Sequence, residues 1–134
     1  MKALFSEQNI KWIMTACSSG LIWLFGAWNA VLGILITVVV VDYLSGLMSA
    51  AKRKELSSKV GWTGLLKKAA TFMVIIVAHQ LDVALGNEEN IIRNITALFY
   101  VSNELLSILE NLGEMGVKLP EFLKEACEKL KTKE

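Results

Sequence analysis

IIRNITALFYVSNELLSILENLGEMG, residues 91–116, carries two signals at once. It is rich in Ile, Leu, Ala, Phe and Val, yet a ladder of polar side chains runs through it. Arg93, Thr96, Tyr100, Asn103, Ser107, Glu110 and Glu114 recur alternately three and four residues apart, the spacing of one helix face. Asn94, Ser102, Glu104 and Asn111 widen the polar side. As a helix, residues 91–112 would extend ~33 Å, about the thickness of a bilayer core. A spanning helix with one wet face must turn it to a helix partner or to water, away from lipid. The stretch therefore predicts a membrane bundle. Arg93, Thr96, Tyr100, Asn103, Ser107 and Glu110 are its candidates to line a wet path.

The rest of the chain agrees with a membrane setting. It has 134 residues, 54% of them hydrophobic, with 14 Lys and Arg against 13 Asp and Glu. That balance offers no argument for a nucleic-acid partner. Residues 12–41 contain no charged side chain, a longer apolar run than the core helix of a soluble domain needs. The run is too long for one crossing, so it must fold back near residues 26–29. This gives a short first segment over 12–28, with Trp12 and Trp28 at its ends, where tryptophan favours the membrane–water boundary. The second segment covers 30–51 and holds Asp42, a carboxylate that is costly at that depth unless paired, protonated or wet.

Residues 52–68 carry Lys52, Arg53, Lys54, Lys59, Lys67 and Lys68 against Glu55 alone. Read as a loop, this stretch belongs on the cytoplasmic side, with attraction to anionic head groups as an addition. The third segment covers 69–85. His79 and Asp82 lie one turn apart near its far end and read as a hydrogen-bonded pair, since no third metal ligand is nearby. The acidic turn GNEEN, residues 86–90, falls outside, and the fourth segment returns inward. After a break at 113–120, Leu119, Leu123, Ala126, Cys127 and Leu130 form an apolar stripe in a lysine-rich tail, a short amphipathic helix at the inner surface.

The expected fold is thus an all-α integral membrane protein built of helical hairpins. It has a cytoplasmic lead (1–11), a transmembrane domain (12–112) and a cytoplasmic tail (113–134). Four transmembrane helices are expected, or three if the first segment lies in the interface. Both termini are cytoplasmic. Cys17 and Cys127 stand far apart and show neither metal-ligand nor disulfide spacing. The faint lipoprotein-like Met14-Thr15-Ala16-Cys17 follows too short an apolar stretch for a secretory signal. No phosphate loop, nucleophile elbow, metal cluster or Cys-x-x-Cys is present, so no catalytic residue, cofactor or metal is expected. Asp42, Asp82 and Glu104 are the intramembrane acids. Asp42 and Glu104 fall at similar depth and could share a proton or a cation, but the preferred reading gives each a helix partner or water.

VVVVDYLSGLMSAAKRKELSSKVGWTGLLKKA, residues 38–69, and FYVSNELLSILENLGEMGVKLPEFLKEACEKLK, residues 99–131, closely resemble the phage-lysis and toxin-secretion holin family. The resemblance is carried by Asp42-Tyr43-x-Ser45-Gly46, by Leu56 through Gly61, and by Asn103 through Asn111 followed by Gly113-Glu114-Met115-Gly116. It implies homo-oligomers that permeabilise the bacterial cytoplasmic membrane. The lesion would release a cell-wall hydrolase or serve export of a large toxin, with membrane lipid as the other partner. Two other readings are a small proton- or ion-coupled transporter or channel, using Asp42 or Glu104, and a regulator that blocks a holin by co-assembly. No internal duplication supports the transporter.

Overall fold

The computed structural model describes residues 1–131; the tail-stripe side chains of Cys127 and Leu130 lie outside the described part. A 3-10 turn over Lys2–Phe5 is followed by five α-helices. They are α1 (Glu7–Phe25), α2 (Ala30–Lys52), α3 (Ser58–Leu85), α4 (Ile91–Glu114) and α5 (Glu121–Lys131). Local chemistry sets the boundaries. Ser6, Asn29 and Ser57 each accept a hydrogen bond from the backbone N–H three residues on, satisfying a donor that the first helical turn leaves free. Gly86, with φ +76°, closes α3 in the left-handed conformation. The fold-back expected near residues 26–29 lies between α1 and α2.

Helices α2 and α4 run parallel, with α3 antiparallel to both. At one end Asn29 donates to Asn94 Oδ1 at 3.1 Å. At the other, basic end, Ser49 Oγ donates to Glu114 Oε2 and Lys52 Nζ to the Glu114 carbonyl. The core is a stack of zones along this axis. Leu32, Leu35, Val38 and Val39 of α2, Ile75 of α3 and Ala97 and Val101 of α4 make an apolar middle. Towards the basic end the same buried stripe of α2 turns polar, through Asp42, Ser45 and Ser49. Towards the opposite end lie buried His79, Asp82 and Arg93.

The exterior is apolar where a water-soluble bundle would be polar. The most apolar window of α2 has a mean hydropathy of 2.2 and is 33% buried; that of α3 has 1.5 and is 6% buried. The core helix of a soluble protein would be mostly covered. Here Ile36, Val40 and Leu44 of α2 and Met73, Val77 and Leu81 of α3 face outward, a surface suited to lipid and unfavourable in water. Of the four expected spans, α2 and α3 are long and apolar enough to cross among the described residues. In α4 the polar ladder lowers the hydropathy. In α1, Glu7, Lys11, Thr15, Ser18 and Ser19 do the same. No residue of α1 is buried. It meets the bundle at its last turn, where Phe25 meets Phe72 edge-on at 6.3 Å and Gln80 donates to the Trp23 and Leu24 carbonyls at 3.3 Å.

The basic stretch departs from the expected loop over 52–68. Only residues 53–57 separate α2 from α3. Lys59, Lys67 and Lys68 ride on the first turns of α3, because Ser57 supplies a cap and Lys and Leu are good helix formers. The third segment therefore begins well before residue 69.

Candidate functional site

Lys68 is the centre of the basic half. Its Nζ donates to Asp42 Oδ2 and to Glu104 Oε2, so one ammonium from α3 joins α2 to α4. The three side chains are only 16%, 9% and 10% exposed. Asn111 donates to Asp42 Oδ1 at 3.1 Å and to Ser45 Oγ at 3.0 Å, and Ser45 Oγ donates to the Asp42 carbonyl at 3.1 Å. Among the described residues no buried side-chain nitrogen or oxygen lacks a partner, as a low-dielectric interior demands. Asp42 and Glu104, expected at similar depth, meet at a cation assigned from sequence to a surface loop. Fully ionised, the cluster carries one negative charge in excess.

A second polar knot closes the opposite end. Asp82 is fully buried and accepts the backbone N–H groups of Ile92 (3.0 Å) and Arg93 (2.8 Å). A carboxylate from α3 thus caps the positive N-terminus of α4. The Arg93 guanidinium in turn donates to the carbonyls of Phe25 (2.6 Å) and Ala27 (2.8 Å), capping the C-terminus of α1. His79 and Asp82 were expected to bond each other. Instead His79 Nδ1 pairs with Asn90 Oδ1 at 2.6 Å, and Asp82 also accepts from Asn87 at 3.0 Å. Gly26 is needed for this closure. Its φ is +80°, and a Cβ there would sit 2.6 Å from the His79 ring and 2.8 Å from Arg93 Nη1.

The ladder on α4 is divided by the packing. The buried stripe of α4 is Arg93, Ala97, Val101, Glu104 and Ile108, turned by about 90° from the ladder at ~3.6 residues per turn. Arg93 sits in the knot. Thr96, Tyr100 and Ser107 are half-buried on the flank, whereas Asn103 and Glu110 are exposed. Thr96 Oγ1 donates to its own helix at the Ile92 carbonyl, 2.7 Å away. An exposed polar strip of Asn103 and Glu110 thus lies beside apolar Phe99. Glu114, at the end of the ladder, takes the Arg53 guanidinium and Ser49. Lys54 and Lys59 project from the basic end, exposed. Sequence spacing could have signalled Ser45 and Ser49, which share a face with Leu35 and Asp42. It held no local signal for Asn111 or Lys68 as partners of Asp42.

An all-helical bundle with an apolar exterior, a buried ionic cluster and a strip of polar side chains on its surface defines a small helical membrane protein. The bacteriophage holin family matches residues 19–132, and the chain belongs to that family. A probable holin of Bacillus phage phi105 is 38% identical over 89 residues, 66% of this chain and 65% of that one. An uncharacterised 14.9 kDa protein of Clostridium perfringens is 40% identical over 124 residues, 92% of this chain and 94% of its own length. An uncharacterised protein of Listeria monocytogenes is 44% identical over 102 residues, 76% and 72% of the two chains. No solved structure matches the chain.

Proposed function

We propose that the protein assembles as a homo-oligomer in the bacterial cytoplasmic membrane and permeabilises it, releasing a cell-wall hydrolase or exporting a large protein. The observation that carries this reading, beside the family, is the exposed strip of Asn103 and Glu110 on a helix packed inside an apolar bundle. At the Asn103 level, inside the lipid, such exposure is costly, and Glu110 carries the strip on towards the head groups. A second copy or a water-filled path removes the cost. A lesion lined by many copies of this strip would be wettable, and Tyr100 and Ser107 on its flank would extend it.

In the orientation we favour, the basic end faces the cytoplasm, because Lys52, Arg53, Lys54 and Lys59 cluster there. Helices α2, α3 and α4 cross. Helix α1 makes the fourth crossing; at ~1.5 Å per residue its length is ~28 Å, near the lower limit. Single cysteines in a Cys-free background test the orientation. A cysteine at Ser58 should resist an impermeant thiol reagent in intact cells, and one at Asn87 should react; the reverse pattern overturns it.

Function is tested by induced expression in bacteria with a membrane-potential dye and a co-expressed cell-wall hydrolase. The parent should collapse the potential abruptly after a delay and release the hydrolase. Asn103→Leu with Glu110→Leu should insert at the same level and fail to do so, since a hydrophobic constriction dewets. Normal permeabilisation by that variant removes the strip from the lining.

A further inference from the structure

The basic end contains a cavity that shares only Ser107 with the lesion reading. It is a wedge of about 300 Å³ between α2 and α3, floored by Ser107 and Asn111 of α4. Glycine creates the space. Gly46 on α2 and Gly64 on α3 line it without side chains, while Tyr43 reaches across to the Gly61 carbonyl at 3.1 Å. A Cβ on Gly64 would already lie 3.4 Å from the Tyr43 ring.

Arg53, Lys67, Lys68 and Asp42 line it, but Lys68 is shared between Asp42 and Glu104, so among the described residues the lining cation without a carboxylate partner is Lys67. Asp42 is occupied, bound by Lys68 on one oxygen and by Asn111 on the other. Arg53 is held at the mouth by Glu55 and Glu114. Lys67 has no carboxylate within ion-pair distance among the described residues, and it is exposed. Two apolar side chains, Leu47 and Val60, complete the wall, and beyond them lies the apolar outer surface of α2 and α3. A ligand complementary to this cavity has a compact anion beside Lys67 and Arg53 and an apolar portion leaving sideways.

From this geometry we infer that the wedge between α2 and α3 binds the phosphate of an anionic phospholipid head group, with Lys67 as its principal cation and Arg53 at the mouth. The inference rests on the membrane reading above, which puts the end of α2 at head-group level. Basic pockets between membrane helices are suited to such head groups. Lysine and arginine make short, charge-assisted bonds to phosphate oxygens, and the aliphatic stem of Lys67 can lie along the wall while its ammonium reaches the interface. Free phosphate shares this chemistry but has no use for the apolar side of the wedge.

The test is native mass spectrometry of the full chain purified in detergent, given equal amounts of phosphatidylglycerol and phosphatidylcholine. The parent should retain phosphatidylglycerol several-fold better. Lys67→Gln should lose most of that preference, and Lys54→Gln, the same charge change outside the wedge, should keep it. Gly64→Leu, with helical content checked by circular dichroism, should exclude the lipid while leaving every charge in place. Equal retention of the two lipids overturns the site. So does an equal loss in Lys54→Gln, which reduces the effect to general surface charge. Displacement of the lipid by millimolar inorganic phosphate overturns the lipid as occupant. If the protein stays membrane-embedded and releases the hydrolase in cells while showing no lipid preference, this inference fails and the proposed function stands.

Discussion

Replacing Lys68 by Met tests whether the ionic cluster holds the bundle together. Methionine keeps a stem of similar length and removes the ammonium. Asp42 and Glu104 each bond the same nitrogen, so their carboxylates lie within ~5 Å of each other. At an effective dielectric of ~20, two like charges at that distance repel by about 3 kcal/mol. Removing one partner of a buried ionic cluster costs about 3–5 kcal/mol, because the remaining charge stays buried and unpaired. The near-complete burial of all three side chains puts this cluster in that range. Lys68→Met should therefore lower stability by about 3–5 kcal/mol. Neutralising the whole cluster, Asp42→Asn with Lys68→Met and Glu104→Gln, should recover part of that loss, since no unpaired buried charge remains. Denaturant titration of the purified protein in mild detergent, followed by circular dichroism, measures both. A single variant as stable as the parent, or a triple variant no better than the single one, would refute the reasoning.

The remaining predictions concern the opposite end and the tail. Gly26→Ala should destabilise by more than Gly86→Ala in the same titration. Both glycines have positive φ, costing about 1–3 kcal/mol for a non-glycine residue, but only at Gly26 does the new Cβ strike His79 and Arg93; equal losses would contradict the close approach. Asp82→Asn should cost about 2–3 kcal/mol, as hydrogen bonds from two backbone N–H groups lose their charged acceptor. Faster amide exchange at Ile92 and Arg93 is the specific sign, and unchanged exchange there would argue against the cap. Deleting residues 119–134 should leave the bundle inserted and shift the onset of permeabilisation in the potential-dye assay. Failure to accumulate in the membrane would show that α5 is needed for assembly of the bundle.

The helices were legible in the chain itself. Apolar runs and the fold-back near residues 26–29 located α2 and α4 within a few residues; α1 begins at Glu7, inside the expected lead, and α3 at Ser58, where Lys59, Lys67 and Lys68 disguised a helix as a loop. Membership of the holin family was equally legible, because Asp42-Tyr43, Leu56 through Gly61 and Asn103 through Asn111 are local strings. The direction in which each polar residue faces was not. Spacing identifies the face of α4 that is polar, but a membrane bundle buries polar groups as readily as apolar ones when a partner waits. Glu104 and Arg93 accordingly turn inward while Asn103 and Glu110 stay outside. The partners that decide this are distant in sequence: Lys68 is 26 residues from Asp42 and 36 from Glu104, and Asn111 is 69 from Asp42. A periodic pattern reports neighbours along one helix. Only the packing of three helices brings a lysine from the basic end of α3 to the height of two carboxylates, where the low dielectric makes their pairing compulsory.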